Sequence, residues 1–247
     1  MSVILPKDQE KIRYSGKILA FLLNTLKENA YPGNTSKNLD LLANDIIISK
    51  NCTPSFLNYN GYKHSICVSV NDTMIHGTPS DVPFKDGDMI SIDAGVCYQG
   101  FHTDAAISFI CGKNDADIKE KLLKTTKEAL DLAIKEVKSE VPVRKLGKII
   151  ENVIMRNGFF TCYDYCGHGV GKKLHDLPLI FNYDEPECKD ILKENMVIAI
   201  EPMVLLSTSN TFVAKNGWDV KSTNGCLTCH FEHTILVKKN GSEVLTS

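Results

Sequence analysis

Positive charge is not in excess in this 247-residue sequence: 28 lysines and arginines stand against 30 aspartates and glutamates, for a net charge of -2. That removes the electrostatic case for nucleic acid or an anionic membrane surface as a stable partner. Arginine itself is scarce, present only at Arg13, Arg144 and Arg156, a matter of codon usage with no functional weight. Long apolar runs are missing too. The longest candidate, Met196–Leu206, is broken by Glu201 and Pro202, so nothing approaches the ~20 apolar residues of a membrane span. The opening stretch MSVILPKDQEKIR has too short an apolar run, and acids too early, for a signal peptide. A disulfide framework is also lacking. Nine cysteines, an odd number scattered from Cys52 to Cys229, fit a reducing, cytoplasmic setting. Cys226 and Cys229 form a C-x-x-C with no second pair at zinc spacing, and free thiols are expected there.

What is present is enough chain to bury a large core. Residues 8–29 carry Ile12, Ile18, Leu19, Leu22, Leu23 and Leu26 at helical spacing, closed by Tyr31-Pro32-Gly33. A second helix is expected over Ser36–Ser49, an aromatic loop over 56–62, a strand over Ser65–Val70 and a turn at Asn71-Asp72. After a hairpin come a helix from Asp115 to Ser139, with Leu122, Leu123, Leu130, Ile134 and Val137 on its buried side, and another from Val143 to Arg156, stopped by Asn157-Gly158. The last third returns to strand and loop, with Gly167–Pro178, Met196–Leu205 and Phe231–Val237 its informative pieces. Helix, helix, strand and hairpin thus appear twice, which suggests an internal duplication around a shared sheet. No linker rich in proline, glycine and serine divides the halves. A single α+β domain spanning 1–247 is expected.

The hairpin is the stretch Met89–Cys111, MISIDAGVCYQGFHTDAAISFIC. If Gln99-Gly100 is a two-residue loop, Tyr98 pairs with Phe101, Gly95 faces Asp104 and Asp93 faces Ala106. Asp93 and Asp104 are then diagonal neighbours on one face, and Gly95 leaves a hole on it. Two half-buried carboxylates cannot both stay anionic without a cation between them. An edge hairpin with two solvated aspartates is the plain alternative. Against it stand two more acids in apolar strand contexts, Glu201 and Glu232, and a histidine between glycines, His168. Those glycines would bring backbone close and expose the ring to a ligand. One imidazole and four carboxylates suit two hard-to-borderline divalent ions, manganese, iron or cobalt, better than structural zinc. Such a dinuclear site can hold a water or hydroxide as nucleophile while polarising a carbonyl.

The segments MIHGTP, IDAGVCYQGFHTD, GHGVGKKLHDLP, AIEPMV and FEHTILV, in this order and spacing, resemble type I methionine aminopeptidases of the short bacterial form, in peptidase family M24. The resemblance covers nearly the whole chain, with five metal-ligand positions and two accessory histidines matched. It implies the pita-bread fold, a pseudo-two-fold duplicated antiparallel sheet with helices outside, forming one catalytic domain. It also implies removal of the initiator methionine from nascent polypeptides when the next residue is small. Carried over by residue, Asp93 would chelate one metal, Asp104 and Glu232 would bridge both, and His168 and Glu201 would complete the other. Hydroxide between the metals would attack the scissile carbonyl, with Glu201 carrying the proton. His76 and His175 would hydrogen-bond the scissile peptide and the developing oxyanion. Tyr59, Tyr62, Cys67 and Trp218 match positions that line the methionine pocket.

The chain departs from the pattern at Leu174, where bacterial relatives commonly carry Phe, and in HDLP for the common HEEP. Losing that aromatic would loosen the pocket and admit leucine or norleucine. His64, His102, His230 and His233 are assigned structural or solvent-exposed roles, with His102 the nearest rival ligand because it lies two residues from Asp104. Rival activities are an aminopeptidase P or prolidase of the same fold, a non-catalytic relative that binds ribosome or RNA, and a creatinase-like C–N hydrolase. The first usually carries an extra N-terminal domain for which this chain has no room; the second tends to lose ligands that are all present here. The expected setting is a monomer in the cytoplasm with a transient ribosome contact, and the metal, cobalt, manganese or iron, is left open.

Overall fold

A computed structural model describes residues 2–113 and 116–247. The chain opens on α1 (Gln9–Asn29) and α2 (Ser36–Ser49), followed by β1 (Thr53–Pro54), β2 (Ile66–Val70), β3 (Thr73–Ile75), β4 (Met89–Tyr98) and β5 (Phe101–Ile110). The second half opens on α3 (Asp117–Lys135) and α4 (Val143–Arg156). It continues through β6 (Phe160–Thr161), β7 (Gly167–Gly169), β8 (Asp176–Ile180), β9 (Val197–Ile200), β10 (Met203–Leu205) and β11 (Thr211–Val213). β12 (Val220–Ser222), β13 (Thr228–His230), β14 (His233–Lys238) and β15 (Gly241–Val244) complete it.

Each half lays two helices on an antiparallel sheet because each helix carries one apolar stripe. Leu19, Leu22, Leu23 and Leu26 of α1 and Leu39, Ala43 and Ile47 of α2 close on Ile90, Ile92, Ala94 and Val96 of β4. Burying each such leucine contributes roughly 1.5–3 kcal/mol. Thr35 caps α2 by accepting the Asn38 N–H at 3.2 Å, which adds about 1 kcal/mol. In the second half, Leu122, Leu130, Leu146, Ile150 and Ile154 of α3 and α4 meet Ile198, Ile200 and Ile235. Gly16 lies inside α1 because the C-terminal segment crosses there: a Cβ on it would stand 2.2 Å from the Leu245 carbonyl oxygen.

The β4–β5 register is the predicted one. Tyr98 pairs with Phe101, Gly95 with Asp104 and Asp93 with Ala106, and Gln99 and Gly100 both take positive φ, 49° and 80°, as a two-residue hairpin turn of type I′ requires. Three expectations change. The predicted start of the third helix, Asp115, lies outside the described residues, and that helix ends at Lys135 rather than Ser139. Val137 is buried and continues the apolar stripe, but the chain has already turned away, with the Ser139 N–H bonded to the Lys238 carbonyl at 3.0 Å. Gly95 leaves no hole, because Ser55 and Phe56 fill it; a Cβ there would meet Ser55 Cβ at 2.7 Å. Finally, the halves do not share one continuous sheet. β5 sits in a four-stranded sheet and β14 in a five-stranded one. They are stitched by the Ala106–Glu232 bridge and by Thr234, whose Oγ1 accepts from the Asp104 N–H at 2.9 Å and donates to the Asp104 carbonyl at 2.7 Å.

Candidate metal centre

That seam gathers all five residues the sequence singled out. Asp93 and Asp104 enter from the hairpin, on neighbouring strands and one face. Glu232 stands between β13 and β14, its backbone N–H on the Ala106 carbonyl at 3.0 Å, so the seam itself sets its carboxylate beside Asp104. Glu201 follows β9, where Pro202 ends the strand, and Asn182 Nδ2 holds its backbone carbonyl at 3.0 Å. His168 is the centre of β7. Its flanking glycines admit neighbouring backbone rather than baring the ring: a Cβ on Gly167 would lie 2.4 Å from the Ala199 oxygen, and one on Gly169 would lie 2.3 Å from the Leu177 oxygen.

Ligand atoms of Asp93, Asp104 and Glu232 lie within 4.8 Å of one another, and so do those of His168, Glu201 and Glu232. Glu232 belongs to both groups. His168 Nε2 is 3.5 Å from Glu201 Oε1 and 3.9 Å from Asp104 Oδ2. Its Nδ1 faces the Gly169 carbonyl at 3.0 Å. A carbonyl can only accept, so Nδ1 carries the proton and Nε2 turns a lone pair toward the carboxylates, the tautomer a metal requires.

The electrostatics favour a cation. Asp104, Glu201, Glu232 and His168 are buried; Asp93 is half-buried as a residue, yet its Oδ1 is closed off from solvent. Asp93 Oδ1, Asp104 Oδ1 and Glu232 Oε1 are buried with no hydrogen-bond partner, a costly state for any polar oxygen. Among the described residues lining the cavity, none is lysine or arginine. Burial pushes the Asp93 carboxyl up to about 7 and Glu201 up to about 8. Burial, and then repulsion from neighbouring carboxylates, drives Asp104 and Glu232 well above the carboxylate range. Protein charges alone cannot keep this set ionised. Oxygen donors with one imidazole fit hard-to-borderline divalent ions, and the orphaned oxygens are where such ions would bind.

The cavity, about 250 Å³, holds the five residues together with His76, His175, Tyr59, Tyr62, Cys67, Leu174 and Trp218. Phe56, Tyr62, Cys67, Leu174 and Trp218 form a small apolar cluster in its wall. His175 Nδ1 lies 2.9 Å from the Tyr59 hydroxyl, and its ring stands edge-on to His168 at 4.3 Å. Its ligand atom also falls within 4.8 Å of those of Asp104 and His168, so it faces the Asp104 carboxylate directly. His76 adopts a left-handed backbone, φ 57°, and burial lowers its pKa to about 4. A neutral ring of that kind still donates one N–H at pH 7.

His102, the rival ligand, bonds Ser55 Oγ at 2.9 Å and is absent from the cavity lining. His64 pairs with Asp40 at 3.0 Å and His233 with Thr246 Oγ1 at 2.9 Å, as structural histidines. His230 is structural as well, and it reaches further. It is fully buried with Nε2 3.4 Å from Glu201 Oε2, so it backs the acid set rather than the core alone. The signal was available: in extended chain, residues two apart share a face, and His230 is two before Glu232.

The profile of metallopeptidase family M24 matches residues 10–239. The methionine aminopeptidase of Mycoplasma capricolum is 42% identical, covering 99% of this chain and 98% of that protein. The methionine aminopeptidase of Escherichia coli K12 is 37% identical, over 100% of this chain and 94% of its own length. The crystal structure of methionine aminopeptidase from Thermotoga maritima superposes with a TM-score of 0.96 at 37% identity, covering 99% of this chain and 98% of that one.

Proposed function

This chain belongs to metallopeptidase family M24 and works as a methionine aminopeptidase removing the initiator methionine, and from that premise we propose that Asp93, Asp104, His168, Glu201 and Glu232 hold two divalent ions, manganese, iron or cobalt. The observation that carries this reading is the pair of overlapping donor groups sharing Glu232, with an unpartnered oxygen on each of Asp93, Asp104 and Glu232. Ions bound there would polarise the scissile carbonyl and make water a nucleophile at neutral pH. The chain's own residues do the rest.

The apolar cluster around Tyr62, Cys67, Leu174 and Trp218 takes the methionine side chain, whose flexible, polarizable thioether suits such a pocket. His76 and His175 donate to the scissile peptide and to the charge that develops on its oxygen, a role worth a few kcal/mol per donor in the transition state. The Tyr59 hydroxyl fixes His175 through Nδ1, leaving Nε2 for the substrate. Glu201, between His168 and His230, carries the proton from the attacking water to the departing amine. The residue after methionine must be small to pass the cavity walls. The enzyme acts as one catalytic domain, a monomer in the cytoplasm, on chains as they leave the ribosome. All nine cysteines are free, which agrees with a reducing compartment, and no helix of the described residues is long and apolar enough to cross a membrane.

Titrating manganese calorimetrically into metal-stripped wild type and Glu232→Gln tests the centre. Two ions per chain are expected in the wild type, and marked weakening of both in the variant because both donor groups lose a member. A single ion, or a variant that binds both ions normally, would overturn the dinuclear assignment.

A further inference from the structure

Trp218 is the one tryptophan of the sequence, and its ring meets Tyr62 edge-on at 4.9 Å in the cavity wall. It rides on the turn between β11 and β12. That turn is tied internally: the Ala214 N–H bonds the Asp219 carbonyl at 2.8 Å, and Asn216 Oδ1 accepts the N–H groups of both Trp218 and Asp219 at 3.1 Å. β12 leaves the turn and pairs with β3, Val220 opposite Ile75, with a register shift just after. Past Ile75 the β3–β12 ladder stops, and on the other side the Gly77 carbonyl accepts the Val68 backbone N–H at 2.8 Å.

A side chain takes over from it. Asp219 Oδ1 accepts from the Thr78 backbone N–H at 2.9 Å and from Thr78 Oγ1 at 2.8 Å, while Asn216 Nδ2 donates to the same Oγ1 at 3.3 Å. Between Ile75 and Thr78 lies His76 with its φ of 57°, a backbone state that residues with a Cβ hold only under constraint. The constraint is visible on both sides. Upstream, Ile75 is paired with Val220. Downstream, the Gly77 N–H bonds Ser69 Oγ at 3.1 Å, the Gly77 carbonyl accepts from the Tyr62 hydroxyl at 3.3 Å, and Thr78 is bound to Asp219. The contacts close a ring: Thr78 to Asp219, next to Trp218, onto Tyr62, and back to Gly77.

We propose that Asp219 is a positioning residue: its two bonds to Thr78 lock the left-handed backbone of His76 and the Trp218 wall of the methionine pocket into one unit. The function of that unit rests on the site reading above, but its mechanics do not. Asp219 itself lies outside the cavity lining and touches neither donor group. It sets the spacing between the pocket that grips the side chain and the imidazole that serves the scissile peptide.

The lone tryptophan makes the unit observable without any substrate. Emission maximum and acrylamide quenching of Trp218 would be recorded on metal-free wild type, Asp219→Ala, Asp219→Asn, Thr78→Val and the Asp219→Ala/Thr78→Val pair. kcat and KM on Met-Ala-Ser with metal restored would follow. Asp219→Ala is expected to red-shift the emission and raise quenching, and to change kcat and KM together with a loss of about tenfold in kcat/KM, the scale of one charge-assisted bond. Asp219→Asn keeps an oxygen acceptor and should recover most of both signals. The double variant should be no worse than the poorer single one. Wild-type emission and quenching in Asp219→Ala, or losses that multiply in the double variant, would overturn the proposal. Should Asp219→Ala fail to fold, Thr78→Val removes a single hydroxyl and must show the same optical change in smaller measure. A wild type that releases no methionine would sink the site reading while leaving the fluorescence outcome to stand.

Discussion

Four carboxylates facing one cavity without a lysine or arginine among its described lining make single side chains decisive. At Leu174 we propose that side-chain size sets selectivity. This residue is buried against Phe56, Tyr62, Cys67 and Trp218, and a branched aliphatic leaves room that a ring would fill. The wild type should therefore cleave Leu-Ala-Ser measurably, and Leu174→Phe should sharpen the preference for Met-Ala-Ser over it by about tenfold, within the 1–3 kcal/mol that methylene-scale differences supply. Equal discrimination by both enzymes would contradict this. The five proposed donors were readable one by one because each acid lies in or beside an apolar strand and His168 lies between glycines. His230 carried only a weak mark, its place two residues before Glu232, since it sits in a three-residue strand, Thr228–His230, and its partner Glu201 lies 29 residues upstream.

At the scale of elements, the hairpin was the most legible piece, because a two-residue turn fixes register and register fixes which aspartate faces what. The short strands β6, β11, β12 and β13 carry two or three residues each and pair only with strands as short, β3, β10 or one another, too brief for a pattern to show. What joins β5 to β14 was equally hidden. Thr234 Oγ1 serves both backbone groups of Asp104 in a fully buried place. Thr234→Val keeps the volume and strands both groups, so urea denaturation should show a loss on the order of 2 kcal/mol. Manganese affinity should fall with it, because Asp104 is held from that point. A valine variant with wild-type stability would show that the seam is held elsewhere.

For the whole molecule, the order helix, helix, strand, hairpin announced a duplication, and the structure gives each half its own pair of helices, with β3 of the first half paired to β12 of the second. The sequence carried no mark of the seam, since bridging contacts pair residues more than a hundred positions apart. The ends are strapped across it: Arg13 of α1 holds Glu243 of β15 by Nε at 2.7 Å and Nη2 at 3.0 Å, with Lys238 Nζ 2.6 Å from the same carboxylate. Chiefly through the Arg13 hydrogen bonds, the Glu243 carboxyl falls from 4.5 to about 2. A depressed folded-state value means the strap stabilises fully above pH 4.5 and is lost as pH falls toward 2. For a half-exposed pair this is worth on the order of 1 kcal/mol. Glu243→Gln should accordingly melt about 2 °C lower at pH 7, with the gap narrowing below pH 4.5; a gap unchanged at pH 3 would count against the strap.

The central claim is that the seam is a metal centre that releases methionine, and one measurement reaches it most directly. Metal-stripped protein would be given Met-Ala-Ser, with manganese, iron or cobalt added back, beside an Asp104→Ala variant treated alike. Methionine release that appears only with added metal and is lost in the variant is the predicted result. Release by the stripped protein, or full activity without the Asp104 carboxylate, would contradict it.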